Sequence, residues 1–225
     1  MTVESKKKRK VPVFAIYVTA AIIAVLLISA FIVSLQPSKD LYPAEIRNYQ
    51  GEDLSSIANV RENTIRGLQF INESAYRLEI TGLVDRNLSL TYSEIIERYP
   101  SYRKIVTIHC VEGWQATILW EGVLVKELLQ SAGVKDGAKV AIFYASDGYS
   151  TALRLDYLNS QNILLAYKIN NLTIPPERGF PFELVAESQY GYKWIKWLNA
   201  IEVSDNEGYL GYWESRGYPN NATLR

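Results

Sequence analysis

The chemistry-bearing residues of this chain are few. It has 225 residues but one cysteine and one histidine. Both lie in one segment, Ile108-His109-Cys110-Val111-Glu112-Gly113-Trp114. A free cysteine is most often a small buried hydrophobe. Here an apolar run ends at Cys110, and Gly113-Trp114 suggests a turn with an aromatic wall, the kind of strand end where sheets place reactive groups. A thiolate there serves as a nucleophile or as a soft-metal ligand. A nucleophile needs a base, and His109, adjacent in a strand, points to the opposite face. Glu112 shares the Cys110 face if the strand continues, but a carboxylate seldom activates a thiol. A metal site with one protein thiolate and the remaining ligands from a cofactor fits better. A non-catalytic binding module with a structural Cys110 and a cysteine hydrolase stay as alternatives.

Two more segments look like pocket walls. In FYASDGYST, Asp147-Gly148-Tyr149 forms a turn after a strand, though an ordinary turn explains it equally. In SQYGYKWIKWL, aromatics alternate with Lys193 and Lys196 around Gly191. Glycine lets backbone approach a ligand, and lysine brings a point charge for a phosphate. The plainer reading is an aromatic strand with solvated lysines. Neither GxGxxG nor a Walker sequence occurs, so nucleotide binding of those kinds is unsupported.

These residues need elements to hold them. Residues 76–84 alternate as a strand and end at Asp85-Arg86-Asn87. Residues 90–100 suggest a short helix starting near Thr91 or Ser93 and stopped by Pro100. Residues 104–111 are β-branched and read as a buried strand. Residues 123–134 read as a helix closed by Gly133. Residues 139–146 and 163–170 are further strands, with more strand material in 181–188 and 194–204. Strands broken by a few short helices predict an α+β fold.

Charge divides the chain. Net charge is zero, from 24 basic and 24 acidic groups. Residues 1–10 hold five of the bases and one acid, so the rest carries 19 basic against 23 acidic side chains. An acidic body disfavours nucleic acid as a partner. Residues 11–35 contain no charge, a length that suits one transmembrane helix. The basic tail 1–10 should stay cytoplasmic, leaving the body outside the cell membrane. Residues 36–60, interrupted by Pro37, Pro43 and Gly51, read as a linker, and residues 61–225 as the folded body. One cysteine excludes an internal disulfide and any multi-cysteine metal site.

In order, TIHCVEGW, W-x-G-V, VAIFYASDGYSTAL, LAY, ERGFPFE, YGYKWIKW and GYLGYWESRGY resemble the molybdopterin-binding domain of sulfite oxidase-like oxidoreductases, the branch that includes the periplasmic methionine sulfoxide reductase catalytic subunit. The likeness covers residues 61–225. It implies a mixed-sheet fold and a molybdenum-molybdopterin cofactor, with Cys110 as the metal's thiolate ligand. It also implies oxygen-atom transfer on a small sulfur or N-oxide substrate, with electrons exchanged through a separate membrane cytochrome or quinone-linked protein. By the same likeness, Asn63, Arg66 and Gly67 contact the cofactor, as do the backbone of Ala145 and the Asp147 turn. Gly191, Tyr192 and Lys193 hold its phosphate. Beside the likeness, same-face spacing from Cys110 makes Glu112 a candidate proton donor or acceptor near the metal, and Trp114 and Tyr149 are candidate pocket walls. The chain also departs from the pattern. Arg178 stands where the reductase branch has Asn and would supply charge there. Glu183 replaces an Arg and should turn away from an anionic cofactor. The arginines that bind sulfite have no counterpart, and Lys8-Arg9-Lys10 replaces the twin-arginine pair used for export.

Overall fold

The computed structural model of the chain describes residues 14, 22–27, 42–61 and 63–224. The chain divides into two units, 1–41 and 42–225. In the first, Phe14 and residues 22–27 are helical with exposed side chains. The rest of the expected span 11–35 and the tail 1–10 lie outside the described residues. Among the described residues no helix is long and apolar enough to cross a membrane.

The second unit holds two five-stranded sheets. In chain order its strands are β1 (Asn48–Tyr49), β2 (Glu52–Asp53), β3 (Leu78–Gly82), β4 (Leu88–Leu90), β5 (Tyr102–His109) and β6 (Gln115–Leu124). They continue with β7 (Val140–Ala145), β8 (Ser150–Arg154), β9 (Leu164–Ile169), β10 (Leu172–Thr173), β11 (Glu183–Val185) and β12 (Leu198–Ser204). Three helices interrupt them: α1 (Tyr92–Arg98), α2 (Val125–Ala132) and α3 (Leu155–Ser160). One sheet runs β10-β9-β6-β5 with β11 also on β9, all antiparallel. The other runs β4-β3-β12-β7-β8 and is mixed, because β12 is parallel to β3 and antiparallel to β7. The α+β, mixed-sheet expectation holds for this unit.

Local chemistry explains the elements. Thr91 caps α1 in a reciprocal pair with Glu94, which satisfies two backbone donors at once. The Gly133 N–H caps α2 by donating to Leu129 and Gln130 carbonyls. β5 buries Val106 and Ile108 on alternate positions. Both sheets contribute to the main core, which includes Ile80, Ile118, Phe143, Leu165, Phe182 and Ile201. Each such side chain contributes roughly 1.5–3 kcal/mol through burial.

Three expected boundaries move. The helix expected over 123–134 loses Val123 and Leu124 to β6. The segment 194–197 is irregular chain ahead of β12, not strand. Residues 42–60 are no free linker. Leu54 and Ile57 are buried, and the fully buried Asn170 donates from its side chain to Glu45 Oε1 at 2.7 Å and Ser55 O at 2.9 Å. Ser55 N–H donates to Thr117 O at 2.8 Å. The body thus begins at Tyr42, because its partners wait on β6 and after β9.

Candidate active site

β5 and β6 form a hairpin, and Cys110 is the first residue of its connection. Cys110 N–H donates to Trp114 O at 2.9 Å, and Gly113 N–H donates back to Cys110 O at 3.0 Å. That turn needs a positive φ at Gly113, which is +86° there. The strand ends at His109, so the same-face argument for Glu112 fails. The turn nevertheless brings Glu112 to the cavity that Cys110 lines. Burial pushes the Cys110 thiol up from its ordinary range. The backbone N–H groups of Glu112 and Val111 and the charge of Arg61 partly offset that rise, while the Glu112 carboxylate adds to it. The turn therefore presents N–H donors to sulfur, which is what an anionic ligand atom needs.

The cavity beside Cys110 measures about 440 Å³, within the usual range of roughly 300–1,000 Å³ for cofactor and ligand sites. Both sheets build it. From the all-antiparallel sheet and its connections come Cys110, Glu112, Trp114, Arg178 and Glu183, and from the β7–β8 turn come Asp147 and Tyr149. The 3-10 turn Gly191–Lys193 adds Gly191 and Tyr192. Asn63 lines it from the loop before β3. Asp147 is buried, and its carboxylate accepts the Tyr149 N–H at 2.9 Å. Tyr149 Oη donates to Tyr192 O at 2.5 Å, tying the two turns together. Burial, with Glu214 second, raises the Tyr192 hydroxyl to about 12, so it stays a protonated donor, here to Pro219 O at 2.8 Å.

Four expected contacts are absent from the lining. Lys193 is fully buried, and its ammonium donates to Glu214 Oε1 at 2.5 Å, Asn220 Oδ1 at 3.0 Å and Ala152 O at 3.1 Å. Its three protons are thereby spent on protein acceptors, away from the cavity. Burial lowers the Lys193 pKa and the Glu214 bond works against that fall. Ala145 spends its N–H on Tyr149 O and its carbonyl on Gly148. Gly67 is exposed, its N–H donating to Thr64 Oγ1. The Arg66 guanidinium lies against the β7–β8 turn, where a Cβ added at Gly148 would sit 3.3 Å from Cζ. Glu183, expected to turn away, lines the cavity and is buried.

Sequence reasoning missed several lining residues. Lys196 stands among the aromatics singled out but was read only as part of a segment. Arg61, also in the lining, lies 3.9 Å from Glu112, with both side chains more than half exposed. Trp213 and Tyr218 line the cavity from the C-terminal segment, where the density of aromatics was the signal. Among the described residues no group of three or more His, Cys, Asp or Glu could hold a metal by itself. A metal at Cys110 would need further ligands from outside such a group.

The model of the oxidoreductase molybdopterin binding domain matches residues 66–213 of this chain. The chain belongs to this family. It is 36% identical over 144 residues to the uncharacterized oxidoreductase YuiH of Bacillus subtilis, spanning 64% of this chain and 72% of that protein. It is 30% identical over 176 residues to a putative protein-methionine-sulfoxide reductase subunit, YedZ1, of Azospira oryzae, spanning 78% of this chain and 62% of that one. In structure it resembles the sulfane dehydrogenase SoxCD of Paracoccus pantotrophus with a TM-score of 0.59 at 23% identity, over 62% of this chain and 40% of that chain. As a family member it is a sulfite oxidase-like oxidoreductase that takes a molybdenum-molybdopterin cofactor.

The cavity fits that group. The Trp114 indole N–H is buried with no hydrogen-bond partner among the described residues, and Trp114 lines the cavity. Such a donor costs about 1–3 kcal/mol when left unmet, so a ligand acceptor there relieves it. The soft sulfur of Cys110 and the cations Arg178 and Lys196 line the same space, which suits a soft metal and an anionic phosphate.

Proposed function

We propose that this protein is a membrane-anchored molybdenum-dependent oxidoreductase moving one oxygen atom, with two electrons, to or from a small sulfur compound or an N-oxide. The observation that carries the reading is Cys110, the lone cysteine, at the wall of a cavity built from both sheets. Cys110 supplies the thiolate ligand to molybdenum. When bound, the cofactor supplies the two-electron oxygen-atom chemistry.

The chain's own residues bind, orient and move protons. The N–H groups of Val111 and Glu112 hold the sulfur in its ligating position. Arg178, Lys196, Asn63 and the Trp114 N–H hold the pterin and its phosphate. Glu112, which lines the cavity with its side chain more than half exposed, hands protons to the substrate oxygen or takes them from water. In the reductive direction an S-oxide, two electrons and two protons give a thioether and water. The relative described as a methionine-sulfoxide reductase subunit favours sulfur as the reacting atom. A membrane cytochrome or quinone-linked protein is the electron partner. The anchor is residues 11–35, whose described part is a helix with Ile22, Ile23, Val25 and Leu27 exposed, as lipid-facing side chains would be. With the basic tail inside, the catalytic unit is extracytoplasmic.

Elemental analysis of protein from a pterin-competent host tests the reading, coupled to a screen of sulfoxides, N-oxides and sulfite with a redox dye. Stoichiometric molybdenum with turnover of one of these classes is expected. Protein that folds in such a host without molybdenum contradicts it.

A further inference from the structure

The C-terminal segment supplies the cavity with a wall that the chemistry at Cys110 does not use. Trp213 and Tyr218 both line the cavity, and Trp213 remains 37% exposed, so its ring faces both the cavity and solvent. The rings are fixed rather than loose. Trp213 meets Tyr212 edge-on at 5.3 Å and Tyr218 at 5.2 Å, and Tyr218 meets Tyr192 at 5.2 Å. Beneath them, the buried Glu214 carboxylate accepts from Lys193 and from Thr151 Oγ1 at 2.7 Å. Tyr212 N–H donates to Ser150 O at 2.9 Å. The segment passes so close to β8 that a Cβ on Gly211 would lie 2.3 Å from Ser150 O. A preorganised apolar face at the mouth costs little entropy when a ligand settles on it.

Charge points the same way. Among the described lining residues the cations Arg61, Arg178 and Lys196 are matched by the carboxylates Glu112, Asp147 and Glu183. The bound cofactor brings a phosphate and takes up cationic partners. A loaded site therefore has no surplus positive charge for an inorganic oxyanion, whereas a neutral, dipolar S-oxide meets no repulsion.

Resting on the oxygen-transfer reading above, we infer that Trp213 and Tyr218 select neutral S-oxides carrying an aromatic or bulky apolar substituent, and that the site discriminates against nitrate and sulfite. The substituent lies on the Trp213–Tyr218 wall while the sulfur end faces the Cys110 side of the cavity. The reaction is reduction: the S–O bond breaks, two electrons arrive from a reduced donor, and the oxygen leaves as water with two protons.

The test compares kcat/KM of the molybdenum-loaded, full-length protein for methyl phenyl sulfoxide and dimethyl sulfoxide with a reduced dye, and for nitrate with the same dye. Sulfite is assayed with an oxidised dye. Discrimination of at least about tenfold in favour of the phenyl substrate is expected, the scale that apolar pocket contacts give. Trp213→Ala should cost the phenyl substrate at least about tenfold more than the dimethyl one, chiefly through KM. Trp213→Phe should keep most of the preference, and Tyr218→Leu gives a second approach should Trp213→Ala not fold. Methyl phenyl sulfone, which shares the shape, should bind the loaded protein in a calorimetric titration and bind the Trp213→Ala variant at least about tenfold more weakly. S-oxide turnover without phenyl preference, a preference unaltered by both variants, or faster turnover of nitrate or sulfite overturns this inference while leaving the function reading intact. A loaded protein that turns over no S-oxide, no N-oxide and no sulfite overturns both.

Discussion

Lys193 Nζ lies 2.5 Å from Glu214 Oε1, with both side chains withdrawn from solvent. One residue belongs to the turn that carries Gly191 and Tyr192 into the cavity, the other to the segment that carries Trp213. The pair therefore joins two walls of the site. Removing one partner of such a pair leaves an uncompensated buried charge, which typically costs about 3–5 kcal/mol. Glu214→Ala should lower unfolding free energy by that order in urea denaturation, and Lys193→Met with Glu214→Leu should recover most of the loss. An unchanged midpoint in the single variant would refute the role given to the pair.

Glu121 should show itself at acid pH. Burial works to raise its carboxyl, but hydrogen bonds from Lys168 at 2.8 Å and Arg103 at 2.6 Å outweigh that and hold it below its ordinary range. A depressed folded-state carboxyl stabilises above its unfolded value and loses that contribution as pH falls through the folded one. The stability gap between the native chain and Glu121→Gln should be full near neutrality and close as pH drops below about 4.3, the ordinary unfolded value of a glutamate. A gap that widens on acidification would contradict the assignment.

The packing of residues 42–60 sets where the chain can be cut. A chain beginning at residue 42 keeps Leu54, Ile57 and the Asn170 bonds, whereas one beginning at 61 loses them. Burying the two side chains alone is worth roughly 1.5–3 kcal/mol each. Thermal melts should show the shorter chain markedly less stable or insoluble. Equal melting temperatures would mean that the segment contributes nothing.

Much of the fold was legible because its strongest strands are β-branched runs, as at 104–111, 139–146 and 163–170. β6 went unread because Glu121 and Gly122 interrupt its apolar pattern. The carboxylate of Glu121 is tolerated there through cations on β5 and β9. Residues 42–60 read as a linker because their partners, Thr117 and Asn170, are far along the chain. Lys193 looked like a phosphate cation because nothing local reveals Glu214, 21 positions on. At the site, Cys110, Asn63, Glu112, Asp147, Arg178, Gly191 and Tyr192 were read from the sequence and line one cavity. The aromatic wall was missed, since its rings meet Tyr192 and Tyr149 only after β8 and the C-terminal segment come together.

The proposed anchor over residues 11–35 can be tested separately. Were that whole stretch helical, at about 1.5 Å per residue it would be long enough to cross the roughly 30 Å hydrocarbon core. The full chain should stay with membranes through an alkaline carbonate wash, and a chain beginning at residue 42 should not. Release of the full chain by the wash would rule out a spanning segment.

The ligand role of Cys110 is most directly tested by X-ray absorption at the molybdenum edge, on the native protein and on Cys110→Ser. In the variant the metal should lose one sulfur neighbour and turnover should be abolished. An unchanged sulfur shell with full turnover would show that Cys110 does not hold the metal.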